Sequence, residues 1–422
     1  MACEEASHSN FRPVPKTGVI FVMQEAAALG YRPGSDQWAN LGQGAPETGP
    51  LAGGQARLNQ LAIDPTTAEY SPVGGSKALK AAVADLYNDR YRQGMKSRYG
   101  PENVAISPGG RSALTRVAAS LGTIHLGHFL PDYTAYEELL DLFRAFVPIP
   151  IALPREGGFH YSTEQIRREI VGRGLGALLF SNPCNPTGNV VYGEELAAMV
   201  ELCSSMQCAM IVDEFYAHYW YGPASEANTL SAAAYIEDVE RDAVVVVDGL
   251  TKNWRYPGLR LSWTLGPRAV IDRLSSAGSF LDGGAAHPIQ MGAIPLLKRA
   301  WADAEAASIR QNFGRKREYM MERARAMGFL LAAQDEPLGA FYLFPKLSQL
   351  PEPLQDGMAF FRKALEVGVI TVPGVFFDVN PGQRRRHIPS RLRQYLRLSF
   401  GPSLEEVSRG MERLEGLIRS FS

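Results

Sequence analysis

Short continuous apolar runs, each ending in polar residues and separated by helical patterns, constrain this chain more than any other feature. The runs are "NVAIS" (103–107), "FVPIPIAL" (146–153), "GALLFS" (176–181), "CAMIVDEF" (208–215), "AVVVVDGL" (243–250) and "LRLSWTLG" (259–266). They lack the in–out alternation of a strand with one wet face, so they predict strands buried on both faces. Between them, "SKALKAAVADLYNDRY", "RSALTRVAASL", "STEQIRREIVGRG" and "GEELAAMVELCSSM" place apolar residues at helical spacing. The third opens with a capping-box pattern, Ser162 to Gln165. Strands alternating with helices of this length predict an α/β fold: a mainly parallel sheet covered by helices, over about residues 56–290. After residue 290 the pattern changes. A long helical region leads to "GAFYLFPKL", a helix "GMAFFRKALEVG", then "VITVPG" and "YLRLSFG". Residues 291–422 are expected to form a smaller α+β domain, joined by the amino-terminal segment 1–55.

The chain has 422 residues, 45% of them hydrophobic, enough for a large core, and a formal net charge of -1. That balance argues against a general nucleic-acid partner, which needs a basic footprint. The start, "MACEEASHSNFRPVPK", has no apolar core of a secretory signal, and no apolar run reaches bilayer length. Cys3, Cys184, Cys203 and Cys208 show neither metal-ligand spacing nor a disulfide framework. The expectation is a cytoplasmic protein with reduced thiols, no membrane partner and no metal.

In an open parallel sheet ligands bind outside the carboxyl ends of the strands. The polar residues there are Ser107 to Arg111, Asn182 to Asn185, Asp213 to Tyr216, and Thr251 with Lys252. This set suits a phosphorylated pyridine aldehyde. Lys252 could form a Schiff base, provided that burial near other cations keeps its amine neutral. Asp213 could hold a ring nitrogen protonated and make the ring an electron sink. Tyr216 and Asn185 could bond a ring hydroxyl. The turn "SPGGRSAL" lets backbone amides at a helix start approach a phosphate, Arg260 adds a cation, and Tyr133 could stack on the ring. Each residue also has an ordinary structural reading; their order and spacing carry the argument.

From "LGQGAP" to "YLRLSFG" the chain resembles the class I/II aminotransferases, pyridoxal-phosphate enzymes with the aspartate-aminotransferase-like fold. The most specific matches are "SNPCNPTG", "VDEFY" and "TKNWRYPGLRLSW". The resemblance implies pyridoxal 5'-phosphate as cofactor, an α-amino acid as substrate, and a homodimer with active sites at the interface. It implies that Lys252 holds the cofactor and shuttles a proton. Asp213 is the ring-nitrogen partner, and Tyr216 and Asn185 are donors to the ring hydroxyl. Gly109, Gly110, Arg111 and Arg260 lie around the phosphate, Tyr133 lies on the ring, and Thr251 is a further cofactor-binding residue. Tyr70 in "AEYSPVGG" matches a tyrosine that reaches the neighbouring subunit's phosphate. Arg397 matches the arginine that grips the α-carboxylate, and Gly44 borders the substrate pocket, with Asn185 also beside the substrate.

Three features depart from that pattern. Gly249 stands where many members carry a phosphate-binding serine. "YAHYWYG" (216–222) is unusually aromatic, either core or a substrate wall. "NPGQRRRHIPSRLRQ" inserts Arg384, Arg385, Arg386, His387, Arg391 and Arg393, either a solvated face or a basic lid. The sequence therefore leaves open transamination, a related elimination, replacement or cyclisation on the same cofactor, and a non-catalytic binding module.

Overall fold

The computed structural model describes residues 14, 18–223 and 229–421; Cys3 and the start of the amino-terminal segment lie outside them. Helix α1 (Gly18–Ala28) and strand β1 (Ala39–Asn40) precede helix α2 (Lys77–Tyr91). Strands and helices then alternate as β2 (Val104–Ser107), α3 (Gly110–Ser120), β3 (His125–Leu130), α4 (Tyr136–Leu142), β4 (Val147–Ala152), α5 (Thr163–Arg173), β5 (Leu175–Ser181), α6 (Gly193–Ser205) and β6 (Ala209–Asp213). A hairpin of β7 (Val244–Gly249) and β8 (Ser262–Leu265) follows, then α7 (Arg268–Leu281), α8 (His287–Ala293) and the long α9 (Arg299–Ala326). The chain ends with β9 (Tyr342–Leu343), α10 (Gly357–Glu366), β10 (Val369–Ile370), β11 (Val372–Pro373), β12 (Leu396–Ser399) and α11 (Leu404–Arg419). Ser162 and Gln165 form the expected capping box on α5. Among the described residues no helix is long and apolar enough to cross a membrane.

The large sheet has seven strands in the order β2-β8-β7-β6-β5-β3-β4. The pairs β4–β3, β3–β5, β5–β6 and β6–β7 are parallel, while β8 is antiparallel to both β7 and β2. Because β2 and β7 both oppose β8, they run the same way. The carboxyl ends of β2, β3, β5, β6 and β7 therefore share one edge, as the predicted strand-end site requires. β7 is buried throughout, which accounts for its unbroken run of valines. β4 carries Pro148 and Pro150 on the outer edge, where a missing amide is tolerated.

The sequence patterns do not name every element; β3 and α1 are among those left out. β3 lies inside the sheet, between β5 and β4, but its residues "HLGHFL" include two histidines and a glycine that break the apolar run. Gly127 fits the close packing there, since a Cβ would fall 2.7 Å from a Leu178 methyl and 2.9 Å from a Leu175 methyl and those side chains would have to shift. α1 begins beside residues that are not described, and its apolar pattern was not recognised.

The small sheet is antiparallel, in the order β11-β12-β9, and β1 pairs in parallel with β10. We propose the division into a segment 1–55, a large domain 56–290 and a small domain 291–422; the pairing of Ala39 with Val369 and Asn40 with Ile370 supports the first segment's place beside the last. Residues 41–49 are stitched to the end of the small sheet and to the loop between β7 and β8. Ser399 donates its amide to the Leu41 carbonyl at 2.7 Å, Glu47 donates to Gly401 at 2.8 Å, and Arg255 donates to the carbonyls of Glu47 and Gly49 at 3.0 and 2.7 Å.

Glu305 on α9 anchors this seam. It pairs with Arg255 at 2.8 Å, both side chains wholly buried, and with Arg57 at 3.2 Å. Removing the carboxylate leaves two desolvated guanidiniums without their counter-ion. Glu305→Ala is expected to cost about 3–5 kcal/mol, measured as a lower denaturation midpoint in urea; a loss within roughly 0.5 kcal/mol, the range of ordinary surface changes, would show that the seam does not depend on it.

Candidate active site

The shared strand edge and the small sheet enclose a cleft of about 390 Å³. Of the sequence-predicted residues, Gly44, Gly110, Arg111, Tyr133, Asn185, Asp213, Tyr216, Thr251, Lys252, Arg260 and Arg397 all line it. Gly109 lies just behind Arg260, whose Nη2 would be 2.4 Å from a Cβ at that position. Its φ of +94° further requires glycine. No side chain caps the start of α3, so the helix presents its first amides and the positive end of its dipole beside the cleft. Tyr70 is elsewhere, fully exposed and outside its own chain's cleft.

Lys252 and Arg260 are neighbours because they flank the β7–β8 hairpin, closed by the Leu250 amide on the Leu261 carbonyl at 2.9 Å. Arg260 takes a left-handed conformation, φ +48°, at the turn into β8. Asn253 fixes the loop from below. Its buried amide donates to Asp248 Oδ1 at 2.7 Å and to the Glu214 carbonyl at 2.9 Å, and its Oδ1 accepts from the His218 amide at 2.9 Å. The ends of β6 and β7 are thus held in one frame, with Asp213 on one and Lys252 beyond the other.

The electrostatics follow from that placement. Loss of hydration, then Arg397, Arg111 and Arg260, lower the Lys252 amine to about 7, while Asp213 pulls the other way. Lys252 Nζ donates to the Gly44 carbonyl. Burial raises the Asp213 carboxyl to about 6, opposed by hydrogen bonds from the Tyr136 hydroxyl at 3.0 Å and the Phe215 amide at 3.3 Å. Such a shift marks a buried acid with too little positive charge beside it.

Arg397, on β12, is 1% exposed. Its Nη1 donates to Asn185 Oδ1 at 2.9 Å and its Nη2 to the Gly42 carbonyl at 2.7 Å. The guanidinium lies over the Tyr342 ring, 4.3 Å from the centroid, and beside Phe377 at 5.0 Å. Among the described residues it forms no ion pair, and its Nε has no partner. A buried guanidinium facing a cleft without a counter-ion is costly unless an anion binds there. Since Asn185 spends its oxygen on Arg397, its amide group remains free to donate into the cleft.

The three departures resolve differently. At Gly249 a Cβ would lie 2.6 Å from the Leu261 oxygen and from Ser262 Cα, so no serine fits. The hydroxyl available on this loop is that of Thr251, which is buried at the cleft with no hydrogen-bond partner. In "YAHYWYG", His218, Tyr219 and Trp220 are core residues, and Tyr216 is the one described residue of the run that lines the cleft. The arginine-rich insert is tied down by its own chain. Arg385 pairs with Asp378 at 2.8 Å, Arg393 with Asp356 at 2.5 Å and Arg384 with Asp141 at 4.0 Å, while Gln383 donates to Glu137 at 2.6 Å. None of Arg384, Arg385, Arg386, His387, Arg391 and Arg393 lines the Lys252 cleft. The insert instead walls a second chamber beside α4, which meets the cleft at Thr134.

Sequence reasoning missed Tyr136, Ser181 and Tyr342. Ser181 was accessible to it, being the last residue of β5. Tyr136 and Tyr342 sit in apolar patterns that read as core.

The sequence pattern of the family described as aminotransferase class I and II matches residues 36–414. The chain belongs to that family. It is 30% identical over 386 residues to the probable N-succinyldiaminopimelate aminotransferase of Mycobacterium tuberculosis, covering 89% of each chain. It is 26% identical over 350 residues to the probable aspartate/prephenate aminotransferase of Aquifex aeolicus, covering 82% of each. The fold is similar to that of the Thermus thermophilus aspartate aminotransferase solved with maleate, with a TM-score of 0.77, 23% identity, and 96% of this chain and 100% of that one covered. The aspartate-aminotransferase-like fold expected from the sequence is the fold observed, and the protein is an enzyme of the aminotransferase class.

The lowered amine has a direct consequence. Reductive alkylation of Lys252 in the cofactor-free protein should rise through a midpoint near pH 7, whereas a solvated lysine titrates near ~10.4. Peptide mapping across a pH series measures it; a midpoint above about 9 would show the amine to be ordinarily solvated.

Proposed function

We propose that this amino-acid aminotransferase works through pyridoxal 5'-phosphate held on Lys252. The observation that carries the reading is the pairing, in one cleft, of a buried guanidinium lacking a counter-ion, Arg397, with a lysine amine lowered to about 7. The first calls for an anion and the second for an electrophile. An α-amino acid and a bound aldehyde meet both demands. The names of the relatives, all aminotransferases, favour transamination over elimination, replacement or cyclisation.

The residues present fit this cofactor. A phosphate suits the uncapped start of α3 at Gly109 and Gly110, the unpartnered hydroxyl of Thr251, and Arg111 with Arg260. A protonated ring nitrogen suits Asp213, whose raised carboxyl lacks a full counter-charge. Tyr133 lines the cleft as a stacking surface, and Tyr216 and Asn185 can hold a ring oxygen. When bound, the cofactor supplies a ring that delocalises negative charge from the amino acid's α-carbon.

The chain's own residues do the rest. Arg397 binds the α-carboxylate through a planar, doubly donating guanidinium, and Tyr342 and Phe377 hold that plane in place. Lys252, near half-neutral at pH 7, can take the α-proton and return it. Asp213 stays ionised by keeping Tyr136 and the Phe215 amide as donors. Desolvation by the 41–49 segment strengthens each of these interactions.

We further propose a homodimer with Tyr70 contributed across the interface. The segment around it exposes Ile63 (73%) and Tyr70 (100%), apolar surface that a second copy would cover. A cytoplasmic setting is proposed on the free thiols of Cys184, Cys203 and Cys208.

The test is direct. Added pyridoxal 5'-phosphate should give a visible absorbance band and, after borohydride, a mass adduct on Lys252. An amino acid should then convert the bound cofactor to its aminated form. Arg397→Ala should keep the band and adduct but lose ~100-fold or more in kcat/KM, the scale for leaving one buried charge of a pair unmatched. An adduct on another lysine, or an unimpaired Arg397→Ala, would overturn the assignment. Sedimentation of the active enzyme should show dimers at assay concentration; a fully active monomer would exclude the shared site.

A further inference from the structure

Tyr342 is a residue the roles above leave nearly unused, yet it touches both arms of the site. It is wholly buried and lines the cleft. Its hydroxyl lies 2.8 Å from that of Tyr216, and its ring carries the Arg397 guanidinium 4.3 Å from the centroid. The Tyr216 and Tyr342 rings meet edge to face, 5.6 Å apart at 73°. We propose that Tyr342 is a positioning residue with two separable parts: a hydroxyl that turns the Tyr216 proton into the cleft, and a ring that shelves Arg397.

The argument is one of proton count. A phenol has a single proton to donate and lone pairs to accept with. If Tyr216 gives its proton to Tyr342, it has none for a ligand oxygen in the cleft. If Tyr342 gives its proton to Tyr216, the Tyr216 proton is free for that oxygen, and accepting a hydrogen bond makes Tyr216 a stronger donor. Tyr342 has no second hydrogen-bond partner among the described residues. A cation over its ring face favours electron withdrawal from that ring and so favours Tyr342 as the donor. Burial pushes the Tyr342 hydroxyl up to about 12, so it keeps its proton across the working range. The ring acts independently of the hydroxyl, since the cation–π contact survives its loss.

The inference rests on the cofactor reading above, and the experiment separates the two. The readout is the pH titration of the visible absorbance of the protein loaded with pyridoxal 5'-phosphate. A donor to the ring oxygen favours the deprotonated form, so losing it raises the midpoint. Tyr342→Phe should raise the midpoint by about half a pH unit, the scale of one neutral hydrogen bond, and leave the amino-acid KM within roughly twofold. Tyr216→Phe should raise it further, and the double variant should match Tyr216→Phe alone, because Tyr342 acts through Tyr216. Tyr342→Leu should add a rise in KM of roughly tenfold, the scale of one desolvated cation–π contact. An unchanged midpoint in Tyr342→Phe, or additive shifts in the double variant, would overturn the proposal while leaving the cofactor reading intact. A wild-type protein that gives no absorbance band with pyridoxal 5'-phosphate overturns both.

Discussion

The registry of the large sheet is the constraint on which the site depends. Ser181 is opposite Asp213, Asp213 opposite Val247, and Gly249 opposite Ser262, which is opposite Ser107. Backbone hydrogen bonds thus set the ends of β2, β5, β6 and β7 level. A slip of one residue in β6 would turn Asp213 to the opposite face of the sheet. The two antiparallel pairings of β8 matter as much, because they return the chain to the same edge and set Arg260 near Lys252.

Onto that edge the protein gathers like charges. Arg111, Arg260 and Arg397 all act on Lys252, with Asp213 as the opposing charge in the cleft. Loss of hydration first, and then these like charges, keep the lysine amine available. Ligand anions relieve the repulsion among the cations. The seam of Arg57, Arg255 and Glu305 holds the 41–49 segment beside the site, through Arg255 on the carbonyls of Glu47 and Gly49.

The arginine-rich insert shows how charge misleads when read along the chain. Six basic residues in a row of fifteen suggested either a solvated face or a lid. In space, Arg384, Arg385 and Arg393 each find an acid on their own chain, on α4, beyond β11 or at the start of α10. Gly382, with a φ of +64°, brings the backbone against Asp141. The insert is a built wall of the second chamber, and three of its arginines are paired within the chain.

Much of the molecule was legible because it obeys local rules. Unbroken valines mean a strand buried on both faces, Ser162 with Gln165 means a helix start, and a lysine and an aspartate at successive strand ends mean a shared rim. β3 was not legible, because its place in the sheet accommodates His128, and Gly127 is packed against Leu178 and Leu175 from distant parts of the chain. Tyr342 was hidden for a similar reason: a tyrosine in an apolar strand reads as core, and its second role depends on Tyr216, 126 residues away. The sequence alone determined the strand–helix alternation and the order of the polar residues at the strand ends, since periodicity and strand ends are local properties of the chain. The tertiary structure decided that position 249 has no room for a side chain while Thr251 lines the cleft, that Arg384, Arg385 and Arg393 of the insert are paired, and that Tyr342 touches both Tyr216 and Arg397, because each depends on residues far apart in sequence brought together by packing.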